Sequence, residues 1–193
     1  MRLWRICRQL HAADAFTGEG ARLYGGRWNT QGVSMVYTSP SLALAAVEIF
    51  VHLEPNLQPG DLVSIAADLP DAVTCERLNL KSLPGDWHAR RDESLRRFGD
   101  RWIRENKTVA LYVPSAAIRG EWNVLLNPAH PDFRTLRIRD SKPFEFDLRM
   151  FRYAKALNCL LSPFRWCLPP SANTIPVSRR TVRSQEVNAA RHR

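Results

Sequence analysis

Arg27, Glu48 and Ser115 have the chemistry of a reaction centre, although they stand far apart in the chain. Arg27 lies in Gly25-Gly26-Arg27-Trp28-Asn29. Glycines there permit close backbone approach or positive φ, and the guanidinium can fork onto a phosphate; an ordinary surface turn fits the same run. Glu48 sits in Leu42-Ala43-Leu44-Ala45-Ala46-Val47-Glu48-Ile49-Phe50-Val51, apolar nearly all round, so a helix here is buried over most of its surface. Helical spacing puts Leu44, Ala45 and Val51 beside the carboxylate and His52 one turn on. A carboxylate so placed must find a partner, change its pKa or face a cleft. A structural ion pair to His52 or to an arginine and a catalytic role are both compatible with that. Ser115 follows Val113-Pro114 at the end of an apolar run, where loops commonly present functional side chains. Without a Gly-x-Ser-x-Gly elbow or a base placed by sequence, a serine-hydrolase reading is poor. The alternative is a turn residue bonding its own backbone. His130, between Pro128 and Pro131, reads as a loop residue rather than a metal ligand.

The elements that would position these groups follow from pattern and punctuation. Strands are expected at Leu3–Cys7, Val33–Thr38, Leu62–Leu69, Thr108–Pro114, Trp122–Leu126, Thr135–Arg139 and Phe144–Leu148. Gly18–Asn29 reads as a glycine-punctuated loop. A helix over Pro40–Leu53 has Ser39 as N-cap, Pro40 in the first position and Pro55 as its stop, and a second helix covers Glu93–Asn106. More strands than helices, in irregular order, indicate an α+β protein rather than a doubly wound sheet.

A hydrophobic content of 45% with 24% charged residues suits a globular domain, not a disordered chain. No apolar run reaches the roughly 18 residues needed to span a bilayer, and the first ten residues lack a secretory signal's apolar stretch. Cys7, Cys75, Cys159 and Cys167 form no CxxC pair, so neither a zinc site nor a disulfide framework is expected, and reduced thiols in a cytoplasm are. The net charge of +9 is unevenly placed: eight basic residues from Arg152 to Arg193, against Glu186 alone, leave only +2 for the rest. Composition changes near Phe151, which divides the chain into a body, 1–151, and a basic extension, 152–193, expected to be flexible. Charge held in the extension, with no helix-turn-helix or zinc-finger spacing, argues against a nucleic-acid-binding body.

Together, Gly25-Gly26-Arg27-Trp28-Asn29, Tyr37, Ser41-Leu42-Ala43-Leu44-Ala45 with Glu48 and His52, Val113-Pro114-Ser115, Asn123-Val124-Leu125-Leu126-Asn127-Pro128 and Phe146-Asp147 with Arg149 resemble the RES-domain family in content and order. That family is named for an arginine, a glutamate and a serine, which match Arg27, Glu48 and Ser115. The resemblance covers roughly residues 3–151 and departs at the long basic extension. It implies a single-domain, ADP-ribosyltransferase-like split β-sheet with flanking helices, and a toxin of a toxin-antitoxin pair that consumes NAD+.

On this reading Glu48, Arg27 and Ser115 are catalytic. NAD+ is held by Arg27, Tyr24, Tyr37, Trp28, Asn29, Ser115 and Asn123, with a tyrosine stacking on nicotinamide. No metal is implied, and no cofactor beyond NAD+ as substrate. The acceptor is open among water, inorganic phosphate as co-substrate and a protein side chain, the last making the protein a mono-ADP-ribosyltransferase. An Xre-type helix-turn-helix antitoxin is the implied partner and would carry the DNA contact. A homodimer is compatible with the sequence but not read from it. A non-catalytic interaction module, by contrast, would tolerate loss of Arg27 and Glu48.

Truncation after Arg152 is expected to leave a folded, NAD+-cleaving body whose nonspecific polyanion binding is weaker and falls steeply with salt. Thermal melting, NAD+ turnover and heparin affinity check this. Unfolding on truncation would place Phe164, Trp166 and Leu168 in the core.

Overall fold

In the computed structural model, residues 1–53, 59–89 and 92–151 are described, and they belong to one compact unit, Met1–Asn158. Their elements, in chain order, are β1 (Arg2–Arg8), α1 (Glu19–Tyr24), β2 (Val36–Thr38), α2 (Leu42–Phe50), β3 (Leu62–Asp68), β4 (Cys75–Arg77), α3 (Glu93–Glu105), β5 (Ala110–Pro114), β6 (Trp122–Leu126), β7 (Arg137–Ile138) and β8 (Lys142–Pro143). The basic extension 152–193 and the helix stop expected at Pro55 lie outside the described residues.

Two four-stranded sheets share the strands. In the first, β3 is central, antiparallel to β1 on one side and to β7 and β8 on the other. The second runs β2-β6-β5-β4, with β4 and β5 parallel. Trp4 and Ser39 exchange backbone hydrogen bonds of 2.8 and 2.9 Å, an isolated bridge that joins the sheets. This is the expected α+β arrangement of a split sheet with flanking helices.

Side-chain alternation decides what each sheet buries. On β1, Leu3 and Cys7 join Val63, Ile65 and Ala67 of β3 and Val36, Val124 and Leu126 of the second sheet in one core. Ile6, on the opposite face, packs with Leu62, Ala45 of α2 and Phe146, and Phe50 lies 5.5 Å from Phe146 between ring centroids. A third core, between the second sheet and α3, holds Trp28, Leu95, Trp102, Leu111, Val113 and Leu125. Each fully buried Val, Leu, Ile or Phe among them contributes roughly 1.5–3 kcal/mol.

Several boundaries differ from expectation for local reasons. The Gly18–Asn29 loop contains α1, whose ends are set by left-handed Gly18 (φ 77°) and Gly25 (φ 68°); the glycines that suggested a loop punctuate a short helix. α2 begins at Leu42 because Ser39 is taken into the bridge with Trp4, and Ser41 caps instead, its Oγ accepting from Leu44 N at 3.1 Å. The strand expected over Val33–Thr38 shrinks to β2. Around Thr135–Arg139 a 3-10 turn, Pro131–Thr135, precedes the short β7. Phe144–Leu148 is not a strand: the pairing with β3 is at Lys142 and Pro143, Phe144 N adds one bond to Leu62 O at 2.9 Å, and Phe144 and Phe146 pack in the core that includes α2. The parallel strand β4 was not anticipated.

A partly buried carboxylate ties the first sheet's rim together: Asp68 on β3 accepts from Arg2 at 2.8 Å and from Arg139 at 2.6 Å. Those two partners, Arg2 first, hold the Asp68 carboxyl well below the usual carboxylate range. A depressed folded value means this contribution is present above the unfolded-state pKa and is lost as pH falls through the folded one.

α3 is pressed against the Gly-Gly-Arg loop so closely that Gly99 admits no side chain: a Cβ there would collide with the Trp28 carbonyl. Gly99→Ala is therefore expected to destabilise the fold by about 1–3 kcal/mol or more. Gly20→Ala in α1, with open space around it, should be neutral or stabilising by up to about 1 kcal/mol. Urea denaturation of both variants tests the contrast.

Candidate active site

Glu48 projects from α2, and two donors from the second sheet meet its Oε1. Ser115, the first residue after β5, donates Oγ–H at 2.6 Å, and Asn123 on β6 donates Nδ2–H at 2.5 Å. Strand pairing sets both. Val113 stands opposite Asn123, and Ser115 N donates to Glu121 O at 2.9 Å, so the β5–β6 hairpin delivers the two side chains together. Ser115 Oγ also accepts from Ile118 N at 3.0 Å, while Asn123 Oδ1 accepts from Ser39 Oγ at 2.6 Å. With both donors on one oxygen, Oε2 remains an acceptor for a ligand.

Glu48 and Asn123 line a cleft of about 890 Å3 that Arg5, Arg27 and Arg96 also line. That volume lies within the range of roughly 300–1,000 Å3 typical of small-molecule sites. Three guanidinium groups make the cleft a place for an anionic ligand. Arg27 Nη1 donates to Trp87 O at 3.3 Å, and Arg96 Nε to Gly26 O at 3.2 Å, so both arginines are tied to the loops they border. Arg5 Nη1 donates to Tyr37 O at 2.8 Å, while its Nε is buried with no hydrogen-bond partner among the described residues. Burial pushes the Arg5 guanidinium below its ordinary value, opposed by Cys7 and Tyr37; arginine starts so high that it stays charged.

The Gly25–Asn29 loop is built around Asn29. Its Nδ2 donates to the carbonyls of Ala21, Thr30 and Val33 at 2.8, 3.1 and 2.9 Å, and its Oδ1 accepts from the Tyr37 hydroxyl at 2.7 Å. That hydroxyl in turn accepts from Trp28 N at 3.1 Å. Burial pushes the Tyr37 phenol far above its ordinary value, so it stays neutral and donating. A Cβ on Gly26 would strike the same hydroxyl, which explains a glycine there. Thr30 N donates to Asp100 on α3 at 2.9 Å, closing the loop against the helix.

Most residues singled out from the sequence gather here. Arg27, Glu48, Tyr24, Tyr37, Trp28 and Asn123 line the cleft. Tyr24 is 85% exposed in the cleft lining, whereas Tyr37 has its hydroxyl committed to Asn29 and Trp28. Trp28 is 3% exposed and packs on Trp87 at 6.3 Å, so it is chiefly a wall anchored in the core. Asn29 is wholly buried, with its amide spent on the carbonyls of the loop. Ser115, 1% exposed, is not among the residues lining the cleft, and its hydroxyl is given to the Glu48 carboxylate. His130 caps the 3-10 turn, accepting from Asp132 N at 3.1 Å, as a loop residue would. Arg5 was missed, and its signal was an arginine in register with Leu3 and Cys7, on the inward face of β1.

Among the described residues no His, Cys, Asp and Glu side chains cluster to hold a metal ion, Cys7 and Cys75 are free thiols, and no helix is long and apolar enough to cross a membrane.

This chain is similar to known proteins over nearly its whole described part. The model of the RES domain matches residues 2–148. A Sphingobium protein named Prs ADP-ribosylating toxin is 36% identical over 156 residues, 78% of this chain and 97% of that protein. A Photorhabdus laumondii protein named Toxin Res is 35% identical, covering 69% of this chain and 85% of that one. In fold, the chain is similar to the crystal structure of the Mycobacterium tuberculosis MbcT-MbcA toxin-antitoxin complex, with a TM-score of 0.58 at 18% identity over 80% of this chain and 88% of that one. The span of the family match, together with relatives aligned over most of their own length, establishes that the chain belongs to the RES domain family.

Proposed function

We propose that this protein is the toxin of a toxin-antitoxin pair and acts in the cytoplasm by breaking the nicotinamide–ribose bond of NAD+. The observation that carries the reading is the Glu48 carboxylate, clamped by two donors in a cleft that also presents Arg5 and Arg27, with Asp14 the other acid of its lining. NAD+ suits that set. Its pyrophosphate supplies the anion for the arginines, and its ribose lies between that anion and a cationic nicotinamide.

One acid is enough for this reaction. Glycosidases commonly use two because a sugar oxygen needs a proton to leave. Nicotinamide departs with the electron pair of the broken C1′–N bond and is then neutral, so no general acid is required. Glu48 stabilises the positive charge that builds on the ribose and orients a ribose hydroxyl. Ser115 and Asn123 hold the carboxylate in place, and a nucleophile then attacks C1′, losing its proton to solvent.

With water as acceptor the product is ADP-ribose, and with inorganic phosphate its 1″-phosphate. A protein acceptor is the second reading, favoured by the name of the Sphingobium relative. An antitoxin partner is favoured by the solved toxin-antitoxin complex of similar fold, and we assign it to the Xre type on family resemblance.

Expression without a partner is expected to arrest growth and lower total NAD, with nicotinamide accumulating. Incubating purified protein with NAD+, with and without phosphate, and identifying the ADP-ribosyl product by mass spectrometry separates the acceptors. Normal NAD in arrested cells would point to the protein-acceptor reading or to another target.

Glu48→Gln should fold and lose at least about a hundredfold in kcat, the scale of one strong electrostatic stabiliser, with NAD+ affinity little changed. Arg27→Ala should weaken NAD+ binding as well, because a phosphate clamp acts in ground and transition states alike. Ser115→Ala should retain turnover reduced about ten- to a hundredfold, as for loss of a hydrogen bond to a charged group. No covalent adduct should form on Ser115. A fully active, normally folded Glu48→Gln protein would falsify the mechanism.

A further inference from the structure

Sequence pattern casts Ser39 as a helix cap, but Ser41 performs that task, so the Ser39 hydroxyl is released for another use. Ser39 is 4% exposed, and its backbone is pinned in both directions by Trp4 at the bridge between the sheets. Its Oγ donates to Asn123 Oδ1 at 2.6 Å, and Asn123 Nδ2 donates to Glu48 Oε1 at 2.5 Å. Serine, amide and carboxylate thus form one directional chain of hydrogen bonds.

We propose that Ser39 is a positioning residue whose hydroxyl fixes which way the Asn123 amide faces and so keeps the amide N–H on Glu48. The inference rests on Glu48 being the catalytic carboxylate of the proposed NAD+ cleavage. An amide's oxygen and nitrogen ends have nearly the same shape, so packing alone cannot orient it; its partners must. A reversed Asn123 would set its carbonyl oxygen against the carboxylate, lone pairs facing lone pairs. The Ser39 donor at the far end selects the productive orientation, and polarisation along the chain strengthens both bonds. Removing it leaves Oδ1 without its donor in a site that Ser39 itself helps to close. Because the Trp4 contacts use only the Ser39 backbone, an alanine keeps the bridge.

The test compares the full chain with Ser39→Ala and Ser39→Thr, the Asn123 side-chain amide NMR signals being assigned by their loss in Asn123→Ala. In Ser39→Ala, cooperative melting is expected to persist while the Asn123 amide protons move toward the position of a free amide and exchange faster with water. kcat for NAD+ cleavage should fall about tenfold or more, as for a weakened hydrogen bond to a charged group, with KM nearly unchanged. Ser39→Thr, which keeps the hydroxyl, should restore both signatures. Unchanged amide signals and kcat in Ser39→Ala overturn the proposal. So does a loss shared equally by the threonine variant, which would make Ser39 a packing residue only. Should the natural chain fail to cleave NAD+, the proposed function fails by itself, and the Asn123 amide signals alone decide the role of Ser39.

Discussion

Ser115 Oγ and Asn123 Nδ2 converge on one oxygen of Glu48, and much of the architecture is arranged around that meeting. α2 is too apolar to leave a carboxylate among its own side chains without outside partners. The partners come from a different sheet, so the two sheets must be held at a fixed distance. The Trp4–Ser39 bridge does this at one end, and the shared core of Leu3, Ile65, Val36 and Val124 does it through the interior. Because Glu48 and its partners come from both sides of the split between the sheets, a cleft opens beside them, with Arg5 tied to the Tyr37 carbonyl in its wall.

The second wall of the cleft is made by subtraction. Gly26 yields space to the Tyr37 hydroxyl and Gly99 yields it to the Trp28 carbonyl, so loop, strand and helix approach more closely than side chains would permit. Asn29 then satisfies the carbonyls that this tight loop would otherwise leave unpaired. Arg27 is therefore carried on a closely packed support, which the two glycines and Asn29 build between them.

Much of this could be read from the sequence where a single physical rule decides. The apolar runs Leu62–Leu69 and Trp122–Leu126 read as strands, Glu93–Asn106 read as a helix, and an acid in an apolar helix marked Glu48. Legibility failed where two rules competed. Ser39 and Ser41 are both acceptable caps, and only the tertiary pairing with Trp4 decides between them. Glycines in Gly18–Asn29 favour a loop locally, yet they end a helix. The roles of Ser115 and Asn29 could not be divided from spacing, because contact with ligand and support of a neighbour use the same donors and acceptors. Arg5 was hidden by ordinariness: an arginine on a strand suggests a surface position until its register with buried Leu3 and Cys7 is seen.

The separation in sequence of the residues around Glu48 also has a temporal meaning. Its two donors lie 67 and 75 positions further along the chain, on a hairpin made after α2. Chains emerge from the ribosome N-terminus first. While synthesis has reached only β3 or α3, the helix bearing the acid exists without the strands that aim it, and β2 lacks its neighbour β6. The acid acquires its aim only once the β5–β6 hairpin has been made and has paired, so the geometry around Glu48 is among the last parts of the body that elongation can complete.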